Sequence, residues 1–164
     1  MTERDKKVIL LLGAGAAALA LTKTAVTMAT KLPRGYRNNN PLNIRFSSAN
    51  NWLGKVIPNT DGVFEQFTSM AYGYRAALYL IRKYISSGLT TVSEIISRWA
   101  PANENNTNNY IYLVCDITGY TPGTTLRAGD KQQLIDLVYA MAIVENGQQP
   151  KPDRQQIEDG WKLL

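Results

Sequence analysis

The residue with the most suggestive chemistry in this sequence is Glu145, which follows an apolar-rich run over residues 134–144. Gly147 and Pro150 come shortly after it, and both are typical of the end of a helix. A carboxylate on the last turn of a mostly buried helix is partly desolvated, so we expect its pKa to be raised. A carboxyl group that stays protonated near neutral pH is what the general acid of glycoside cleavage requires. The alternative is that Glu145 simply marks the point where a core helix reaches the surface.

The composition excludes most other catalytic chemistries, because the 164 residues include no histidine and one cysteine. Ser-His-Asp catalysis, Cys-His catalysis and His-ligated zinc therefore cannot occur. Cys115 lies in an apolar stretch and is predicted to be a small buried residue, not a nucleophile. A hydrolase of this composition must work through carboxylates, and we expect it to need neither a metal nor a cofactor.

The net charge of +5 comes from the N-terminal part of the chain. Residues 1–45 carry eight Lys or Arg and two acidic residues, whereas residues 46–164 carry ten Lys or Arg and eleven acidic residues. The rest of the chain has no excess of basic residues that could form a surface for binding nucleic-acid phosphates. We therefore expect no nucleic-acid partner.

The N-terminal part also carries a candidate targeting signal. Residues 8–22 are uncharged, and residues 8–21 are apolar throughout. This run is shorter than the roughly 20 residues that cross a bilayer, but it extends to Lys31 if the Lys23 side chain snorkels to an interface. Three interpretations remain open: a membrane anchor with basic residues at its start, a cleaved signal peptide, and an amphipathic or core helix. We predict an anchor over residues 1–31 and a globular domain over residues 32–164.

The globular part is predicted to be mainly α-helical with a small β excursion. Residues 31–35 are typical of a linker and residues 36–45 of an ordered polar loop, since three consecutive Asn followed by Pro do not fit inside a helix. Residues 50–67, with Gly, Pro and an alternating apolar pattern, predict a small hairpin or irregular β subdomain. Apolar residues at helical spacing predict helices over residues 69–87, 92–99, 110–118 and 134–144, the last three capped by Thr91, Thr107 and Asp130.

Five motifs that occur in one order resemble a family of phage and prophage virion structural proteins. They begin at Arg34 (RGYRNNNPLNI), Asp61 (with Phe64 and Phe67), Tyr72 (YGYRA), Ile96 (ISRWAP, followed by ENNT) and Glu145 (ENGQQP). The resemblance covers about residues 33–160, which is nearly all of the globular part. It implies a place in a virion and indicates no activity.

A second resemblance, to soluble lytic transglycosylases and related lysozyme-like enzymes, suggests an activity. In those enzymes a helix ending in Glu-Ser-Gly-x-x-Pro presents the catalytic acid, and residues 140–150 are similar to it. Residues 40–44 resemble their Asn-Pro-x-x-Asn-Ile element with one residue fewer, and Glu104 with residues 107–110 resembles their Glu and Thr-x-x-Tyr with two residues inserted. The catalytic helix precedes the other motifs in that family and follows them here. The resemblance therefore implies a lysozyme-like domain that is circularly permuted.

The resemblance implies that Glu145 would act first as acid and then as base, because lytic transglycosylases use internal attack by the sugar and need one carboxyl group. Polar side chains near it can hydrogen-bond the acetamido and hydroxyl groups of a glycan, and the predicted substrate-binding residues are Tyr36, Asn38, Asn40, Asn43, Glu104 and Tyr110. The alternative for Asn38 and Asn40 is a turn held by its own side chains. For Glu104, in its Asn-rich loop, the alternative is capping or positioning.

Two functions from different classes follow from these observations. The first is a membrane-anchored, virion-associated lytic transglycosylase or muramidase that opens the cell wall locally during phage entry. Its partners would be peptidoglycan glycan strands, a lipid membrane and other virion proteins. The second is a non-catalytic virion protein that keeps a lysozyme-like scaffold for assembly or glycan binding. A bacterial wall-remodelling enzyme on the inner membrane, facing the periplasm, is a third hypothesis.

The geometry around Glu145 can distinguish an enzyme from a scaffold. A cavity lined by Glu145, Tyr36 and residues 38–43 would favour an enzyme, whereas an ion pair between Glu145 and Lys or Arg would favour the scaffold.

Overall fold

The computed structural model describes residues 32–102, 106–148 and 150–164. The predicted membrane anchor and the candidate binding residue Glu104 lie outside these ranges. Within them, no helix combines the length and the apolar composition that a membrane span requires.

Six helices are found among the described residues. They are α1 (Arg34–Arg37), α2 (Met70–Ser86), α3 (Val92–Trp99), α4 (Thr107–Thr118), α5 (Lys131–Asn146) and α6 (Arg154–Lys162). The mainly helical prediction is confirmed, and α2 to α5 are the four helices that apolar spacing indicated. Two predicted caps are also present. Thr91 forms a capping box with Glu94, and the Asp130 side chain accepts a hydrogen bond from the backbone N–H of Gln133.

The N-cap of α4 differs from the prediction. Asn106 caps this helix, because its side chain accepts a hydrogen bond from the backbone N–H of Asn109. Thr107 is the first helical residue, and its hydroxyl donates to the carbonyl oxygen of Ala100 at 2.6 Å. That bond ties the start of α4 to the end of α3.

Helices α1 and α6 are not predicted by the sequence pattern. Helix α1 is a single turn in the stretch interpreted as a linker and loop. Helix α6 has a short apolar stripe, because Ile157 is buried and Trp161, four positions later, packs against the core. Its cap, Asp153, accepts a hydrogen bond from the backbone N–H of Gln155.

The hairpin form of the predicted β excursion is wrong, and the segment is irregular. No β-strand is present among the described residues, and residues 45–67 contain two isolated antiparallel bridges, Arg45 with Phe64 and Lys55 with Phe67. Gly54 and Gly62 adopt φ values of 74° and 77°, which turn the chain before a ladder can extend. The backbone N–H groups of Val63 and Phe64 bond the Asp61 carboxylate, while those of Phe46 and Glu65 bond backbone carbonyl oxygens without forming a continuous ladder.

Helix α5 lies at the centre of the packing of residues 33–164. Its buried positions fall on every side of the helix: Leu134, Ile135, Leu137, Val138, Ala140, Met141 and Ala142. Helices α4 and α6 pack against it, and α2 packs along α6. Because α5 is enclosed up to Ala142, its last turn emerges from the core, and Glu145 is placed at the edge of the interior.

The loop over residues 38–44 is fastened to the fold by its own asparagines. Asn40 is fully buried, its Nδ2 donates to the carbonyl oxygens of Ile44 and Glu65 at 2.9 Å each, and its Oδ1 accepts from the Ile44 N–H at 3.0 Å. Asn39 and Asn43 adopt left-handed φ values of 50° and 49°, which Asn tolerates better than most residues. The loop is therefore held in one conformation beside the end of α5.

A carboxylate braces this loop from the opposite side. Asp61 accepts two hydrogen bonds from the Arg34 guanidinium, at 2.6 and 2.8 Å, and one from Asn38 Nδ2 at 2.8 Å. The Arg34 guanidinium holds the pKa of Asp61 well below its usual range. Asp61 is thus an ionised structural anchor and a poor candidate for a proton donor.

Candidate active site

Glu145 lies on the last turn of α5, just before Gly147 ends the helix with a φ of 81°. Its Oε2 accepts a hydrogen bond from Asn43 Nδ2 at 2.9 Å, and its Oε1 accepts one from the Tyr110 hydroxyl at 3.0 Å. None of the ion pairs among the described residues includes Glu145. The carboxyl group is therefore held by neutral donors from the loop over residues 38–44 and from α4.

Burial raises the pKa of Glu145 above its ordinary value. Hydrogen bonding from Asn43, Tyr110 and Trp99 acts in the opposite direction, because each donor stabilises the ionised form, but burial is the larger effect. The raised pKa that the sequence led us to expect for Glu145 agrees with this environment. A carboxyl group in this state can give a proton to a ligand atom and later take one back.

Glu145 opens into a cavity of about 560 Å³. The cavity is bounded by the loop, by α2, by the end of α3 and by the last turn of α5, and its lining residues are Leu42, Asn43, Ile44, Arg45, Phe64, Leu80, Tyr84, Trp99, Ala100 and Glu145. Among these described residues Glu145 is the one carboxylate. The volume is in the range of ordinary ligand pockets, and the wall is mostly apolar and aromatic with a few polar groups.

Two adjacent residues of α5 fix the loop beside the carboxylate. Glu145 binds Asn43, and Asn146 Nδ2 donates to the carbonyl oxygen of Pro41 at 2.6 Å. The Asn43 Oδ1 atom is buried near Gly35 and has no hydrogen-bond partner among the described residues. Asn43 therefore acts on the acid through its amide nitrogen, which orients the carboxyl group.

Tyr110 on α4 contacts Glu145 without lining the cavity, whereas Trp99 at the end of α3 lines it. Tyr110 is almost fully buried, and burial together with the nearby Glu145 carboxylate raises the pKa of its phenol well above the ordinary value. It stays protonated and can act as a hydrogen-bond donor to Glu145. The Trp99 ring packs edge-on against Tyr84, with 6.5 Å between the ring centroids, and gives the cavity an aromatic side.

The structure brings together three of the predicted site residues, Glu145, Asn43 and Tyr110. Asn38 and Asn40 are buried outside the cavity lining, and their amide groups are engaged by Asp61, Gln66, Ile44 and Glu65. Their roles as sugar-binding residues stay predictions, and the contacts found for them brace the loop that carries Asn43.

Tyr36 is also absent from the lining of the cavity. It lies on α1, its hydroxyl is buried without a hydrogen-bond partner among the described residues, and burial raises its pKa to about 12. A part in substrate binding stays a prediction for Tyr36, as it does for Glu104.

Several lining residues were not predicted to belong to the site, among them Phe64, Leu80 and Tyr84. Leu80 and Tyr84 are four positions apart on α2 and so share one face of that helix. Their pattern is that of an ordinary buried stripe, and only the position of the loop opposite them turns this face into a cavity wall. No local signal in the sequence distinguishes the two cases.

No protein-family model matches the chain. The chain is similar to a curated phage protein, protein P5 of Pseudoalteromonas phage PM2, with 37% identity over 127 residues that span 76% of this chain and 78% of that protein. The chain therefore belongs to the same family as this phage protein. The predicted relationship to phage proteins is confirmed.

Proposed function

We propose that this protein is a virion-associated peptidoglycan-cleaving enzyme with Glu145 as its general acid and base. The observation that carries the proposal is a partly desolvated carboxyl group that faces a cavity of about 560 Å³ and is held by two neutral donors, Asn43 and Tyr110. A raised pKa favours the protonated form of Glu145, which is the form that can protonate a glycosidic oxygen. The family relationship to a phage protein supports the virion context.

The reaction that fits one carboxyl group is internal transglycosylation. Glu145 gives its proton to the bridging oxygen as the bond to the anomeric carbon breaks, and the ionised carboxylate then removes a proton from the sugar's own C6 hydroxyl as that oxygen bonds the anomeric carbon. The proton returns to Glu145, and the product is a 1,6-anhydro sugar. A water molecule in place of the C6 hydroxyl would give a reducing end, which is the muramidase outcome.

The lining of the cavity suits a sugar ring. The Trp99 and Tyr84 rings provide apolar faces on which a sugar ring can stack. The lysozyme-like fold that the motifs imply is part of the same proposal.

The test is incubation of the protein with purified peptidoglycan, followed by mass analysis of the released muropeptides. Anhydro products support the transglycosylase, and reducing-end products support the muramidase. Binding to peptidoglycan without any release would favour the alternative, a non-catalytic virion protein on the same scaffold. The observation that favours such a structural role is the pair of hydrogen bonds that join the Glu145 carboxyl group to Asn43 and Tyr110.

The pH dependence of activity should report the pKa of Glu145. Because the acid must be protonated, activity is lost as the pH rises through that pKa. Tyr110 stabilises the ionised form of Glu145, so Tyr110→Phe is expected to raise the pKa further and move the alkaline limb of the pH–rate profile to higher pH. Tyr112→Phe is the matched control, since Tyr112 lies on the same helix and is 66% exposed. An alkaline limb that stays in place in Tyr110→Phe would mean that another group controls the rate.

The membrane anchor over residues 8–30 belongs to the proposal and lies outside the described residues. Its uncharged run and flanking basic residues support a retained helix that tethers the enzyme to a lipid membrane. N-terminal sequencing of protein from particles is expected to begin at or near Met1. A mature N-terminus between positions 19 and 32 would show a cleaved signal peptide instead.

A further inference from the structure

A second recess adjoins the Glu145 cavity along α2. It has a volume of about 380 Å³, and Leu80 lines both it and the cavity. The basic groove, as we name this recess, is defined by Trp52, Arg75, Tyr79 and Lys83. A shallower depression of about 330 Å³ shares Trp52 and Arg75 with it and extends it away from the cavity.

The periodicity of α2 makes the two recesses parallel. Leu80 and Tyr84 line the cavity, while Tyr79 and Lys83 line the groove, and each pair is four positions apart. Such pairs form rows along a helix surface, and Leu80 belongs to the lining of both recesses. A ligand that extends sideways from the cavity therefore crosses Leu80 into the groove.

The groove is positively charged. Arg75 and Lys83 lie over the exposed ring of Tyr79. The Arg75 guanidinium is 5.9 Å from the ring centroid, and the Lys83 ammonium is 5.5 Å from it. The Arg75 Nε atom donates to the Leu163 carbonyl oxygen, and neither cation has a carboxylate partner among the described residues. No acidic side chain lines the described groove. Trp52 packs edge-on against Tyr79 at 5.9 Å and steadies the ring between the two cations.

This combination of charge and position fits one part of the proposed substrate. Glycan strands of peptidoglycan carry short peptides on alternate sugars, and these stem peptides bear free carboxylates. A strand seated beside Glu145 directs a stem peptide out of the cavity, where two cations can bind carboxylates and an aromatic face can pack against aliphatic side chains. We propose, on the basis of the proposed function, that the basic groove binds the carboxylates of the peptide stem and thereby selects peptide-bearing glycan.

The kinetic test compares two substrates. The double variant Arg75→Gln/Lys83→Gln in the full chain is expected to raise KM for intact peptidoglycan about fivefold, as for the loss of two partly exposed ion pairs, with kcat unchanged. Its KM for glycan strands from which an amidase has removed the peptides should equal that of the wild type. Arg82→Gln/Lys131→Gln is the matched control, because it removes the same charge from residues that contact Trp161 and Glu158 instead. Thermal unfolding of both variants shows whether a difference arises from folding.

A binding test separates this inference from the proposed activity. NMR titration of the Glu145→Gln protein with a free stem peptide should shift resonances of the groove, and the carboxamide form of the same peptide should not. If the wild type cleaves neither substrate but the peptide binds, the proposed function fails and the groove assignment stands.

Three results would overturn the inference. The first is an equal rise of KM on intact and peptide-free glycan, which would make the groove a glycan contact. The second is equal binding of the free peptide and its carboxamide form. The third is loss of binding to anionic lipid vesicles in the double variant without any binding of the peptide, which would assign the cations to lipid headgroups.

Discussion

Replacing Glu145 by Gln is expected to lower the release of muropeptides from peptidoglycan by about a thousandfold. Gln has nearly the same shape as Glu but no proton to donate to the glycosidic oxygen. The wild-type carboxyl group is poised for this step, because burial raises its pKa while Asn43 and Tyr110 fix its orientation. The measurement is the initial rate of product release, with the variant and the wild type at equal concentration.

The same substitution is expected to change the free energy of unfolding by about 1 kcal/mol or less. The Gln oxygen can still accept one of the two hydrogen bonds, and the variant no longer places a charge in a partly buried position. Glu158→Gln is the matched control, since Glu158 is a surface carboxylate on α6 that pairs with Lys131 at 3.0 Å. It should retain full activity. A folded Glu145→Gln protein with near wild-type activity would exclude Glu145 as the acid.

The part of the site that could be predicted from the sequence is the part set by local signals. The apolar run before Glu145 and the stop residues after it define a buried helix and its end without any knowledge of the fold. The contact with Asn43 joins residues 102 positions apart, and the contact with Tyr110 joins residues 35 positions apart. No periodicity encodes such contacts. Motif resemblance assigned Asn43 and Tyr110 to the site, and the structure places both on the carboxyl group itself.

The errors have physical causes of the same kind. The alternating pattern of residues 63–67 suits a strand, but its backbone bonds to residues 38–46 form isolated bridges in place of a continuous ladder. Helix α6 has few apolar residues, and its packing against α2 stabilises it. In both places contacts between distant parts of the chain decide the structure. A short stretch of sequence does not carry that information.

Gly73→Ala is expected to destabilise the protein by about 3 kcal/mol, although the same change in an exposed helix would stabilise it by about 1 kcal/mol. Gly73 is a buried residue of α2 that packs against the loop over residues 38–44. A Cβ atom there would collide with the carbonyl oxygen of Asn39 and would lie 2.9 Å from Pro41 Cδ. These atoms belong to backbone and a proline ring, so no side-chain rotation can relieve the clash.

The clash at Gly73 should also reduce activity in the fraction of protein that remains folded. Moving Asn39 and Pro41 away from α2 shifts Asn43, which orients the Glu145 carboxyl group. Urea denaturation measures the stability, and initial rates at a temperature where the variant is folded measure the activity. Gly129→Ala is the control, because no atom lies within 4 Å of its added Cβ, and it should leave the stability unchanged or raise it by up to about 1 kcal/mol. A Gly73→Ala protein as stable and active as the control would mean that α2 and the loop are not in the tight contact on which the geometry of the acid depends.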